Sequence, residues 1–362
     1  MTLPYSCSGS TAHSLQAVFS NRPSVARQLG FTMVELLVAM TISLAIVIAA
    51  IAALTVSRQG FQSVDASSQL RDNARFAADL MQRVVVQAGF KDPAYALTLP
   101  SAADNAKDLD GLIAAHVTGF NNASFRPSDL TTATARTAGA VGYGSDVLIV
   151  RYQTAKKNNA TAGADQNLSD GSMIDCAGNA IQTIPIDRNE RMVSVFHIGV
   201  GTDGEPSLMC GYSANGGRYD SQPIIQGVEN FQVLYGVDGW TSGWVANTPL
   251  TGAQDSVPER YLRADQLVVV GDPSSQATYN NWRRVRSVRI GMVIRGPLNS
   301  QLEKVSQTFY PFGLGKPTST GTPGMAFADN TNDPGTVFTP PTDGRLRQVV
   351  TFTIHLRNDQ GL

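Results

Sequence analysis

From Leu36 to Val56 the chain runs 21 residues without a charged side chain. A helix rises about 1.5 Å per residue, and a bilayer core is about 30 Å thick, so a run of this length can span it. Glu35 stands at the mouth of the run. A lone carboxylate in hydrocarbon costs on the order of 2.5–3.5 kcal/mol by analogy with Asp on insertion scales, so this residue needs a partner. Two plain readings compete for the segment. A cleavable secretory signal would offer a basic stretch, an apolar run and small residues such as Ala50-Ile51-Ala52, but its apolar region is shorter and carries no acid at its start. A simple single-pass anchor explains the length and leaves Glu35 without a purpose.

The residues before the run add to the pattern. Arg22 and Arg27 are basic, Gly30 precedes the aromatic Phe31, and Glu35 follows four positions later. In that order the features resemble the N-terminal type III signal of type IV prepilins. The resemblance implies that a dedicated membrane peptidase cuts between Gly30 and Phe31 and methylates the new N-terminus. It also implies that Glu35 neutralises the amine of a neighbouring subunit, which offsets the burial of both charges. A basic leader before an apolar run predicts a cytoplasmic N-terminus, with the remainder exported.

Composition sets further bounds. Taking Arg22 and Arg27 away from a chain of formal charge −1 leaves −3, which gives no broad electrostatic reason to bind nucleic acid. Of three cysteines, Cys7 falls in the leader, leaving Cys176 and Cys210 as an even pair in an oxidising compartment. The expected disulfide closes a loop of about 35 residues and stabilises by roughly 3–4 kcal/mol on the chain-entropy account. The alternative is two buried free thiols. Zinc is not expected, because the remaining His116, His197 and His355 lack close ligand spacing.

Past the apolar run, Leu70, Ala74, Ala77, Met81, Val84 and Ala88 recur at steps of three and four, while Arg71, Asp72, Arg75, Asp79 and Arg83 lie off that stripe. The spacing predicts an amphipathic continuation of the helix, with Gly60 as a weak point and Gly89 and Pro93 as its stop. A helix from Phe31 to Ala88 would be on the order of 87 Å long. Beyond it the period changes from 3.6 to 2. Strands are expected at Asp146–Gln153, Arg191–Val200, Leu208–Tyr212, Asn230–Tyr235, Val285–Arg295 and Gln348–Arg357. Val288, Ile290, Met292 and Ile294, with Val350, Phe352, Ile354 and Leu356, form faces expected to pack on the helix stripe. Residues 98–143 read as loop or insertion with a short helical piece, and Lys156–Ser172 and Gly315–Gly344 as loops. The division expected is a leader over 1–30, a membrane or filament-core helix over 31–56, an amphipathic half over 57–90 and a globular domain over 91–362.

No catalytic constellation emerges. There is no His-Glu-x-x-His, no phosphate-binding loop and no nucleophile elbow, and Gly142-Tyr-Gly144 reads as a turn. The stretch Asp329 to Gly335 superficially resembles a calcium loop, but Pro340 falls where a bidentate Glu belongs, so a solvated loop is expected. His197 and His355 read as core or sheet histidines. Tyr235, Trp240 and Trp244 read as packing around a turn rather than a recognition surface. Neither an enzyme nor a bound cofactor or metal is expected.

Further stretches resemble PilW-like minor pilins: Arg71 to Phe76, Ala88-Gly89-Phe90, Gly227 to Asp238, Val285 to Gly291 and Leu356-Arg357-Asn358. The resemblance implies an α+β pilin-like fold, with the long helix packed on an antiparallel sheet. It further implies a structural role in priming type IV pilus assembly at the tip, supporting adhesion and twitching motility. Partners would be other minor pilins, the major pilin, a tip adhesin, the prepilin peptidase and the inner-membrane assembly platform, with motive power from a separate cytoplasmic ATPase. The protein would sit in the bacterial inner membrane, globular part outward, and in the assembled pilus. A minor pseudopilin of type II secretion shares these features. A membrane-anchored periplasmic enzyme or adhesin is the alternative of another class.

Overall fold

The computed structural model describes residues 30–92, 115–157, 168–182, 184–185, 190–213, 218–271, 276–301, 303–315 and 333–358. The expected leader with Cys7, Arg22 and Arg27, together with Pro93 and residues 329–332 of the calcium-like stretch, lies outside the described residues. The chain divides into two compact units, Met1–Val56 and Ser57–Leu362.

Helix α1, Met33–Val85, has 53 residues. It continues through Gly60 without a break, because one glycine costs only about 1 kcal/mol against a long hydrogen-bonded run. It ends three residues short of the expected Ala88, in turns that finish at Gly89 with φ +75°. That left-handed backbone suits glycine. Gly89 donates its amide to the carbonyl of Arg151, so the helix terminus is tied to the sheet.

Within the second unit, the strands are β1 (Val117–Phe120), β2 (Ala123–Ser124), β3 (Thr134–Ala135), β4 (Val147–Tyr152), β5 (Met192–Val200), β6 (Pro206–Ser213), β7 (Tyr219–Gln226), β8 (Val228–Val237), β9 (Arg260–Leu262), β10 (Val285–Arg295) and β11 (Arg347–His355). Two short helices, α2 (Ala264–Leu267) and α3 (Gln276–Trp282), lie between β9 and β10. All strand pairs are antiparallel. They form a five-stranded sheet in the order β1-β4-β5-β6-β7, a four-stranded sheet in the order β11-β10-β8-β9, and the β2-β3 ribbon. The expectation of one sheet is thus refined to two large ones. Residues 115–143, read as loop from their Ala, Thr, Asn and Gly content, contribute β1 to β3.

The stripe on α1 is buried throughout: Leu70, Ala74, Ala77, Met81, Val84 and Ala88 share one core with Val288, Ile290, Met292, Ile294 and Ile354. Val350 and Phe352 pack against it half-buried. The first sheet joins the same core through Leu148, Val150, Phe196 and Leu208. Its other face, with Val147, Ile149, Val193 and Val195, is covered by Ala123, Leu130 and Phe125. Burial on both faces explains why β4 lacks the polar alternation of a half-exposed strand.

Candidate functional site

At the start of α1, Thr32 and Glu35 close on each other. The Thr32 amide donates to Glu35 Oε2 at 3.0 Å, the Thr32 hydroxyl donates to the same oxygen at 3.0 Å, and the Glu35 amide donates to Thr32 Oγ1 at 3.3 Å. This is a capping box, in which side chains at the first position and three residues later satisfy amides that the helix leaves unbonded. The pattern Thr-x-x-Glu before an apolar run is visible in the sequence, but there it was weighed only for charge. Among the described residues, none forms a hydrogen bond with Glu35 Oε1. Gly30 has open space around its α-carbon, and Phe31 is 87% exposed. A backbone so uncovered at Gly30–Phe31 can enter an enzyme's cleft as an extended strand.

From Gly30 to Gln62 every residue is exposed, including Leu37, Met40, Ile46 and Ile51. The hydroxyls in this stretch turn back on the helix: Thr41 donates to the carbonyl of Val38 at 2.8 Å, Ser43 to that of Ala39 at 2.7 Å and Thr55 to that of Ala52 at 2.8 Å. Hydroxyls bonded in this way would stay satisfied where no water reaches them. Among the described residues α1 is the one helix long and apolar enough to cross a membrane.

Cys176 and Cys210 are joined, with sulfurs 1.99 Å apart and both residues fully buried. The bond ties the loop around Cys176 to the middle of β6, inside the main core.

The other residues singled out by the sequence are structural. His197 is buried, stacks on Phe125 at 4.6 Å, and its Nε2 lies 2.9 Å from Ser221 Oγ. Burial pushes its pKa down to about 4, so it is neutral at pH 7. His355 lies exposed at the end of β11. Tyr235 is buried edge-on against Trp282, with centroids 4.8 Å apart, and Arg260 lies over Trp240 at 5.2 Å. Asp238, Asp255 and Glu259 bring carboxylate oxygens within 4.8 Å of one another. Their bonds are already committed. Asp238 pairs with Arg286 at 3.1 Å and accepts the amides of Asp255 and Ser256, while Glu259 accepts those of Gly239 and Trp240. This cluster staples a loop.

Asp333 contradicts the reading of Gly315–Gly344 as an exposed loop. It is buried against Asn121 and Arg263, with its Oδ1 3.3 Å from Asn121 Nδ2 and 4.0 Å from Arg263 Nε, and burial raises its pKa to about 6. Beside it Gly335 lies against Gln232 and Asn230 of β8. Nothing local in the sequence marks that contact, because its members come from four separate stretches.

No curated protein matches this chain. Among solved structures, a type IV-like pilin from Thermus thermophilus aligns at 15% identity, covering 80% of this chain and 98% of that one, with a TM-score of 0.34. The family model PilW, type IV pilus-assembly protein W, matches residues 195–358, a span that starts within β5 and runs past the end of β11. Over that span, which includes the central strands packed on the α1 stripe, the chain is similar to PilW.

Proposed function

We propose that this protein is a minor pilin that acts in type IV pilus assembly, entering the inner membrane by α1 and priming or capping the filament at its tip. The observation that carries the reading is the conjunction, on one chain, of the PilW match over residues 195–358 with a helix whose apolar half is exposed and whose amphipathic half is built into the core. The exposed half needs lipid or other helices to cover it. The Gly30–Phe31 bond is the proposed processing site. Glu35, held by Thr32 through one carboxylate oxygen, offers the other to the amine of a neighbouring subunit. The role asks for no catalysis by this chain, and the globular part supplies docking surface.

The test is mass spectrometry of the N-terminus of membrane-extracted protein from cells with and without prepilin peptidase. A methylated Phe31 that appears only with the peptidase is the expected result. An N-terminus elsewhere, such as after Ala52, overturns the reading. Recovery of the processed chain with secretion-system components rather than with sheared pili would assign it to type II secretion.

A further inference from the structure

Four strands end the two large sheets. Three are blunted: β1 has four residues, β9 has three, and β7 contains Pro223, which lacks an amide hydrogen, beside a register shift between Leu208 and Met209. The fourth, β11, has nine residues, no proline, and nine consecutive pairs with β10 from Arg295–Arg347 to Ser287–His355. The amide of Leu356 donates to the carbonyl of Arg286 at 2.9 Å, which fixes the phase of the ladder. Residues 348, 350, 352 and 354 therefore turn their backbone groups toward β10, and Val349, Thr351, Thr353 and His355 turn theirs away. None of these four outward-facing residues makes a backbone hydrogen bond to another described residue.

Such an edge accepts one kind of ligand, an extended peptide segment that adds as a further strand. Its side chains say more. On the α1 side, Val350 and Phe352 are only half-buried, so apolar surface continues to the rim. Neither β10 nor β11 contains an Asp or Glu, and just beyond β11 Arg357 is exposed with no ion pair among the described residues. A second copy is a poor occupant: residues 345–357 contain no Asp or Glu, so pairing two β11 strands brings no carboxylate to Arg357.

We propose that the β11 edge docks an extended segment of a different subunit of the pilus assembly. Its alternate apolar residues lie beside Val350 and Phe352, and it carries a carboxylate toward Arg357. This rests on the pilus-assembly reading and adds to it the surface and chemistry of one contact.

The test is residue-resolved hydrogen exchange on the full chain, alone in detergent and in the assembly sheared or extracted from piliated cells. In the isolated chain, Thr351 and Thr353 amides exchange fast, while Val350, Phe352 and Ile354 are slow. In the assembly, Thr351 and Thr353 slow by about 100-fold or more. Slow exchange at those two positions in the isolated chain, dilute or concentrated, overturns the proposal, since the edge is then covered by the chain itself or by a second copy. Fast exchange in the assembly overturns it while leaving the pilus reading intact. Absence of the chain from the assembly removes both. Thr353→Pro deletes an amide that the β10 ladder does not use, so it should melt close to the parent yet be recovered with the assembly at a tenth of the parent level or less. Wild-type recovery of that variant also overturns the proposal.

Discussion

Asp146 Oδ2 accepts the backbone amide of Val233 at 2.8 Å, and this bond joins the two large sheets. β9 pairs with β8 only over Tyr235 to Val237, so the first half of β8 has an open side. Ser145 and Asp146 fill it: Asp146 donates its amide to Phe231 O at 2.7 Å, and Ser145 Oγ accepts the Phe231 amide at 3.1 Å. The second oxygen of Asp146 takes the Asn122 amide at 3.0 Å. Asp146→Ala strands two amides away from water and should cost on the order of 2–4 kcal/mol, while Asp146→Asn, which keeps one carbonyl oxygen, should cost less. Thermal unfolding of the two variants against the parent checks the ranking.

Met81 has no exposed surface and sits mid-stripe, whereas Arg83 is paired to Asp79 at 2.8 Å on the outer face. Met81→Asp buries a carboxylate with no partner and should destabilise by several kcal/mol, whereas Arg83→Asp should change stability by less than about 1 kcal/mol. Equal melting of the Met81→Asp variant and the parent would show that this stripe is not the core face.

Glu35 has two offered roles, cap and counter-ion, and Thr32 separates them. Thr32→Ala removes one half of the cap at a cost of about 1 kcal/mol to the helix end and leaves the carboxylate in place. If pairing with a neighbour's amine matters, Glu35→Ala abolishes incorporation into pili and Thr32→Ala largely spares it. Equal loss in both, scored by immunoblot of sheared pili, assigns Glu35 to capping.

Two buried groups make opposite contributions on the acid side. Asp333 has its pKa raised by burial to about 6, so the stability it lends is complete below its unfolded value of 3.8 and is lost as pH rises through about 6. His197 has its pKa lowered by burial to about 4 from 6.5, so its stability is complete above 6.5 and is lost as pH falls through about 4. Between pH 4 and 6 the two offset each other. Asp333→Asn should stabilise the protein at pH 7 relative to pH 4, and His197→Gln should flatten the loss on acidification. Chemical denaturation across that window reads both slopes, and an unchanged slope in either variant removes that residue from the account.

The Cys176–Cys210 bond closes a separation of 34 residues. Alkylation of folded protein without reductant should leave both unlabelled, and Cys176→Ser should lower stability by about 3–4 kcal/mol. Labelling of both thiols in native protein would speak against the bond.

The legible parts of the fold were those whose neighbours in sequence are also their neighbours in physics. Val285–Arg295 announces itself by apolar residues at every second place from Val288 to Ile294, and the α1 stripe by its three-four spacing, so both were read nearly to the residue. β7 was missed because an edge strand need not alternate, and Tyr219–Gln226 is polar with a proline inside. β1 was missed because it is short and carries Gly119, where any side chain would strike the Tyr235 hydroxyl and the carbonyl of Val147. The contact of Asp333 with Asn121 and Arg263 spans most of the globular part, and no local pattern encodes it. At the N-terminus the charge of Glu35 was read and its hydrogen bonds were not, although Thr32 stands at the right spacing for them.

The order of strands also sets a timetable. Most of the five-stranded sheet is built of hairpins between consecutive segments, β4 through β7, and its disulfide lies within that stretch, so it can close while the chain is still emerging. The α1 stripe must wait. Its central partners are β8, β10 and β11, and β11 lies at the far end of the described chain. Until that last strand arrives, an apolar helix face stands open on an otherwise half-made molecule, the condition under which nascent chains aggregate. On the proposed membrane insertion, the neighbouring apolar half of the same helix would hold each copy apart from the next during that interval.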